Sequence, residues 1–256
     1  MNAGEPEVFT DWREDKLLDG RVLLRQPLSG YRAATDPVLL AAATPAEAGQ
    51  SVLDLGCGAG AASLCLAARV PVVPSGLEIQ APYLDLARQN AGLNGVAMTL
   101  YQGDVASPPK DLRAGSFDHV IMNPPFYPAD AAIASPVAAK DRAHREVADL
   151  QTWLAAAMAR LKPRGWLTLI HRAERLQALL SGLAPLGAGA ISIKPLTARA
   201  GRDAKRVLLR ARKDVKTPLR LCAPLVLHAG SAHNGDGDDF SPQARAILRD
   251  AGAVEF

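Results

Sequence analysis

The run Ser51-Val52-Leu53-Asp54-Leu55-Gly56-Cys57-Gly58-Ala59-Gly60 most limits what this chain can fold into, and it leads straight into Ala61–Arg69, which is apolar on nearly every face. A short apolar run closing on glycines at every second residue reads as a buried strand entering a tight turn. Glycine lets the chain turn sharply there and brings backbone N–H groups close to a ligand, where a Cβ would clash. A helix apolar all round belongs against a sheet.

From residue 51 the pattern alternates strand and helix for over a hundred residues. A strand ends at Glu78, and a helix starts at Ala81 with Leu84, Ala87 and Ala91 on one face and Gly92 as its C-cap. Strands are expected at 97–102 and at Phe117–Met122. Val147, Leu150, Leu154, Met158 and Leu161 then repeat at helical spacing, until Lys162-Pro163-Arg164-Gly165 stops the helix and 166–170 returns as a strand. A helix carrying Leu176, Leu179, Leu180 and Leu183 follows, then strands at 190–194 and 206–212 around a basic loop, and a further strand at 224–228. Ser241-Pro242 opens a last helix ending near Gly252. Strict alternation predicts an α/β fold: a doubly wound, mostly parallel, Rossmann-like sheet of seven strands with right-handed crossovers and helices on both faces. Ligands of such sheets sit at the carboxyl ends of the strands.

Ahead of this region, residues 1–34 read as an irregular acidic arm with a short strand around Asp19-Gly20-Arg21-Val22-Leu23-Leu24-Arg25-Gln26-Pro27. Thr35-Asp36-Pro37 starts a helix, with proline at the first helical position behind a capping side-chain oxygen. Residues 35–256 are expected to form one domain. At 256 residues and 48% hydrophobic composition there is ample apolar material for a core. Cys57, Cys65 and Cys222 show no Cys-x-x-Cys spacing, so neither a zinc ribbon nor a disulfide framework is expected. The acidic opening lacks an apolar leader segment, and the stretch 59–77 is broken by Arg69, Pro71 and Pro74, so the expected setting is cytoplasmic, with no membrane span.

The formal net charge of +3 conceals an asymmetry. Between Lys194 and Arg220, ten basic residues face only Asp203 and Asp214, a local net of +8. So dense a positive window suits a polyanion such as RNA, and Arg199, Arg202, Lys205 and Arg206 are its candidate contacts. A charged, solvated strand edge is the competing reading. The unpatterned stretch 127–146, with Lys140, Arg142, His144 and Arg145, reads as a flap over the same partner or as a solvated loop.

Three acids follow three strand ends. Glu78 stands 22 residues after Gly56, placed to accept from a ribose diol, and Asp104 in Gln102-Gly103-Asp104-Val105 can meet the exocyclic amine of an adenine. Gly56-x-Gly58-x-x-Ala61 also satisfies the dinucleotide fingerprint, so the turn by itself leaves nicotinamide and S-adenosylmethionine enzymes open. Asp54 before the first glycine and the third acid favour the sulfonium cofactor.

The tetrapeptide Asn123-Pro124-Pro125-Phe126 leaves the next strand at the same edge. Two prolines hold the backbone extended and remove two donors, leaving a surface rich in acceptors: the Asn123 amide oxygen and the Pro124 carbonyl. Phe126 adds an aromatic plate, on which a stacked base gains about 1–3 kcal/mol. An exocyclic amine on adenine is a poor nucleophile, because its lone pair is delocalised into the ring. Two acceptors that take its hydrogens favour a pyramidal nitrogen with the lone pair free to attack.

Taken together, Asp54-x-Gly56-x-Gly58-x-Gly60, Glu78, Asp104 and Asn123-Pro124-Pro125-Phe126 resemble class I S-adenosylmethionine-dependent methyltransferases of the amino-methylating kind, over about residues 50–170. Upstream, Gln26-Pro27, Gly30-Tyr31-Arg32, Thr35-Asp36 and Leu39-Leu40 are similar to the lead-in of bacterial tRNA (adenine-N6)-methyltransferases acting beside the anticodon of a valine tRNA, which extends the likeness to about residues 20–230. The resemblance implies that Asp54, Gly56, Gly58 and Gly60 line the methionine part of the cofactor, that Glu78 holds the ribose, and that Asp104 and Val105 hold the adenine. It implies further that Asn123, Pro124, Pro125 and Phe126 orient the target amine, and that the partner is RNA, with tRNA the expected species. Phe126 stands where those enzymes often carry tyrosine. Guanine-N2 rRNA methyltransferases carry phenylalanine there, so a guanine amine is the second target. Protein glutamine-N5 methylation and a nicotinamide-dependent reductase are further alternatives; for the reductase no Tyr-x-x-x-Lys donor set is visible.

His228 and His233 beside 234–239 do not meet calcium-loop spacing, and no metal is expected. His119, His144 and His171 are isolated and read as structural, and Cys57 as a small filler.

Overall fold

The computed structural model describes residues 11–29, 32–125, 150–230 and 239–256. Its chain begins with β1 (Trp12–Leu17) and β2 (Val22–Pro27), followed by α1 (Thr35–Ala43), β3 (Ser51–Leu55), α2 (Ala61–Arg69), β4 (Val73–Glu78) and α3 (Ala81–Leu93). Next come β5 (Thr99–Gln102), α4 (Lys110–Ala114), β6 (Phe117–Met122), α5 (Leu150–Arg160), β7 (Leu161–Arg172) and α6 (Leu176–Leu183). The chain closes with β8 (Ala188–Thr197), β9 (Ala204–Lys213), β10 (Arg220–Leu221), β11 (Leu225–Val226) and α7 (Pro242–Asp250).

Seven of these strands form the expected Rossmann-like sheet in the order β5-β4-β3-β6-β7-β9-β8, and the two-residue β10 and β11 add to β8. All neighbours are parallel except β9, which runs against both β7 and β8. After β3 the chain builds β4 and β5 on one side, then crosses to place β6 on the other. The switch point therefore lies between the carboxyl ends of β3 and β6, where sheets of this kind take their ligands. Period-two alternation divides the core in two. Val52, Ile121, Ile170 and Leu208 face α1, α2 and α7, whereas Leu53, Leu55, Val120, Met122, Leu169 and Leu209 face α4, α5 and α6.

The short strand expected around Asp19–Pro27 is β2, whereas residues 12–17 depart from the irregular arm expected of them: they form β1, which pairs with β2 as an antiparallel hairpin. Leu18, Val22 and Leu24 are buried in the same core as α1 and α2. Three other expectations are corrected locally. α1 begins at Thr35 without a side-chain cap, because the residue at the capping position is Ala34, which carries no acceptor, and Asp36 in the first turn pairs with Arg206. α3 runs on to Leu93 and its left-handed exit is Gly95 (φ +65°), not Gly92. Lys162–Gly165 does not precede β7 but lies within it, where the pairing with β6 shifts register between Phe117 and His119. α4 carries no long apolar period and was not expected. α7 is capped as expected, with Ser241 Oγ accepting from the Ala244 N–H at 3.1 Å. The expected helix start at Val147 falls outside the described residues. Among those described, no helix is long and apolar enough to cross a membrane.

Candidate active site

The glycine turn is tied to the neighbouring strand by its own backbone: the N–H groups of Gly56 and Cys57 donate to the Leu77 carbonyl at 2.8 and 3.0 Å. Gly56, Gly58 and Gly60 all have positive φ, at +70°, +53° and +87°, a backbone region that L side chains avoid. Their surroundings differ. A Cβ on Gly56 would lie 2.5 Å from the indole of Trp153, and one on Gly60 would touch Ala87, but one on Gly58 would meet nothing within 4 Å. The turn thus rests on Trp153 below and opens at Gly58. Cys57 fills the space left by the missing side chain of Gly76, 2.6 Å from where a Cβ would stand, and burial raises its thiol pKa well above the ordinary value. It is the filler expected of it, not a poised nucleophile.

Two of the three acids lock the turn from within. Glu78, buried at the end of β4, accepts from the Gly58 N–H through Oε2 at 3.0 Å and from the Gln80 N–H through Oε1 at 2.9 Å. This fixes its carboxylate at the carboxyl edge of the sheet. Asp54 is buried against α2 and accepts from Ser63 Oγ at 2.9 Å. Burial lifts its pKa from 3.8 to about 7, with the neighbouring Glu78 adding to the rise and the Ser63 donors opposing it. Asp104 lies beyond β5, half-buried, and accepts from the Ala106 N–H at 2.8 Å, with Val105 buried beside it. The Gly103 N–H donates to the Glu78 carbonyl at 3.0 Å, joining the ends of β4 and β5.

Asn123 follows Met122, whose partner across the sheet is Leu55. It therefore stands beside Gly56, at the carboxyl edge of the sheet. Asn123 is half-buried, Pro124 buried and Pro125 exposed. Phe126 lies outside the described residues. Trp153, under the glycine turn, is the site residue that sequence reasoning missed. It sits three residues after Leu150 on the apolar face of α5, and that spacing was the available signal.

The basic window does not form one patch. Arg206 pairs with Asp36, and Arg199 with Asp239. Arg210 donates to the Ala43 carbonyl and lies 3.8 Å over the Phe256 ring, and Arg212 donates to the Arg164 carbonyl and lies 4.9 Å over Trp166. Arg202 and Lys205 are exposed. Arg142, Arg145, Lys140, His144 and the stretch 127–146 lie outside the described residues, as does His233. His228 bonds Asp239 at 2.6 Å and stacks on Phe240. Among the described residues no group of His, Cys, Asp or Glu is arranged to hold a metal.

S-adenosylmethionine combines a sulfonium, an ammonium, a ribose diol and an adenine. This edge offers a matching set: a buried carboxyl at Asp54, open space over Gly58 that a Cβ would fill, a fixed carboxylate at Glu78 and a half-exposed one at Asp104.

Residues 34–181 match the family described as the methyltransferase small domain. The chain is 31% identical over 182 residues to the tRNA1(Val) (adenine(37)-N6)-methyltransferase of Aeromonas hydrophila, an alignment covering 70% of this chain and 75% of that one. It is 34% identical over 120 residues to the ribosomal RNA small subunit methyltransferase C of Salmonella paratyphi B, covering 45% and 34%. Among solved structures, a predicted O-methyltransferase of Agrobacterium tumefaciens superposes with a TM-score of 0.69 at 25% identity, over 86% of this chain and 98% of that one.

Proposed function

The chain belongs to the methyltransferase small domain family, and from that we propose that it transfers a methyl group from S-adenosylmethionine to the N6 amine of an adenine in tRNA. The observation that supports this reading is the register of β3 and β6, which brings Asn123 and Pro124 beside the glycine turn at the carboxyl edge of the sheet. The similarity to a tRNA adenine-N6 enzyme over most of both chains supports the choice of base and RNA. Residues 35–256 act as one methyltransferase domain, with the hairpin of residues 12–27 packed into its core, and an RNA substrate puts the working protein in the cytoplasm.

When bound, S-adenosylmethionine supplies an electrophilic methyl carbon on a positively charged sulfur. Asp54 and the Gly56–Gly60 turn hold its methionine part, Glu78 its ribose, and Asp104 with Val105 its adenine. The Asn123 amide oxygen and the Pro124 carbonyl accept the two hydrogens of the target amine, turning the nitrogen lone pair toward the methyl. Pro125 keeps that backbone extended, and Phe126 stacks on the base. Positioning supplies most of the rate, so no general base needs to act before transfer. The amine proton leaves to solvent afterwards.

The test is incubation with labelled cofactor and tRNA lacking the modification, followed by mass spectrometry of the nucleosides. N6-methyladenosine is the expected product, and Asn123→Ala lowers its rate by roughly 100-fold or more while cofactor affinity changes only a few-fold, by analogy with removal of one transition-state hydrogen bond. The similarity to an rRNA methyltransferase favours one second reading, a guanine-N2 target, and N2-methylguanosine in the same digest would establish it in place of the first.

A further inference from the structure

The carboxyl edge of the sheet is divided by charge. Over β3, β4 and β5 it carries Asp54, Glu78 and Asp104. Over β7, β9 and β8 it carries cations, brought together from two separate turns. β9 runs antiparallel, with Arg206 opposite Arg172 at the end of β7 and Ala204 opposite Thr197 at the end of β8. The β8–β9 turn and the turn at 173–175 therefore open on the same edge as Asn123, and the second packs against β9. Within this group Arg172 pairs with Glu174, Arg199 with Asp239 and Arg206 with Asp36. Arg175, Arg202 and Lys205 are exposed, and none has an ion-pair partner among the described residues. Asp203 is the one carboxylate of the 198–205 stretch.

We infer that Arg175, Arg202 and Lys205 grip the phosphates flanking the target base, so that the RNA strand lies over β7, β9 and β8 and leaves β3 to β5 to the cofactor. The inference rests on the RNA reading above and deepens it. An RNA backbone is repelled from the acidic half of the edge, whose carboxylates suit a cationic cofactor, and drawn to the basic half. Adjacent strands lie about 4.8 Å apart, so β9 is about 10 Å from β6, within reach of phosphates next to a base held at Asn123. Cations at the other end of the sheet have no such access. Lys213, the last residue of β9, pairs with Ala188, the first of β8, so Lys216 just beyond it lies at the amino edge with Arg164, while Arg220 is on the outer strand β10. Net charge in the window is thus not what binds; the end of the sheet decides.

Two full-length variants of equal charge change separate the cases: R175Q/R202Q/K205Q and R164Q/K216Q/R220Q. Affinity for an unmodified tRNA transcript is measured across a salt series, with the cofactor Kd as a check on folding and with KM and kcat for methyl transfer. The first variant is expected to bind RNA at least tenfold more weakly and to lower the slope of log K against log salt by about 2–3, the share of three phosphate contacts. Its cofactor Kd stays unchanged and the loss falls on KM. The second variant stays within about threefold of wild type. Equal RNA affinity and slope in the first variant, or an equal loss in the second, overturns the inference while leaving the RNA reading intact. Failure of the wild-type protein to bind or methylate tRNA overturns both.

Discussion

A carboxyl group sealed between a strand and a helix is costly to ionise, and Asp54 is such a group. Its folded pKa of about 7 lies above the unfolded value, so the unfolded chain binds fewer protons between about pH 4 and pH 7. Stability is therefore lost as pH rises through this interval, by on the order of 4 kcal/mol in full. Asp54→Asn removes the charge and keeps an acceptor for Ser63. In urea titrations the variant should be more stable than wild type at pH 8, and the difference should close by about pH 4. It should also lose cofactor binding, since a neutral amide cannot pair with an ammonium. A variant less stable than wild type at pH 8 would contradict this account of the site. The residue types were legible in the sequence: the acid, the glycines and the Asn-Pro-Pro. The burial that gives Asp54 its pKa was not, because it depends on Ser63 and α2 closing over it.

At the scale of elements, the hairpin docks on a helix through side chains that imitate a strand. Asn90 Oδ1 accepts from the Arg25 N–H at 2.8 Å and its Nδ2 donates to the Arg25 carbonyl at 3.0 Å, while Asn94 does the same for Leu23 at 2.9 and 2.7 Å. The free edge of β2 is thereby paired without another strand. Asn90 Nδ2 also donates to the Ala59 carbonyl in the glycine turn at 2.9 Å, linking the hairpin to the candidate site. Replacing Asn90 by Ala strands buried backbone groups on both sides and should cost about 2–4 kcal/mol in urea unfolding, with a weaker cofactor Kd. Asn94→Ala should lower stability with the cofactor Kd unchanged. The sequence marked β2 as a short strand, but no local pattern announced its partner β1 or its docking on α3. β1 is Trp-Arg-Glu-Asp-Lys-Leu, mostly charged and exposed, and the groups that hold β2 come 65 or more residues later. The buried parallel strands were readable because both faces are covered, which writes them as apolar runs between glycines and prolines.

For the molecule as a whole, Asp54 and two buried histidines shape stability between pH 4 and neutrality. Burial holds His119 and His171 at about 4, below their unfolded value of 6.5, with neighbouring arginines acting in the same direction. Their contribution is intact above pH 6.5 and is lost as pH falls from 6.5 toward 4, by about 3 kcal/mol each at most. Asp54 acts in the opposite sense from about pH 7 downward. One proton gained by the fold on Asp54 is outweighed by two refused on the histidines as pH falls below 6.5, and the opposing effects nearly cancel above pH 7, so these groups make stability fall from about pH 6.5 toward pH 4 and leave it nearly level above neutrality. Unfolding midpoints from pH 4 to pH 8 check this, and a stability that rises as pH falls from 6.5 to 4.5 would refute it. From the order of its residues alone the chain determined the alternating α/β architecture, the ligand edge and the chemical types gathered there, because those follow from local periodicity and from glycine and proline stereochemistry. Tertiary structure decided which charges remain available. Arg206 is neutralised by Asp36, 170 positions away, and Arg199 by Asp239, while antiparallel β9 carries the two ends of one basic window to opposite ends of the sheet. Ion pairing depends on distance in space, and separation along the chain does not encode that distance until the sheet has formed.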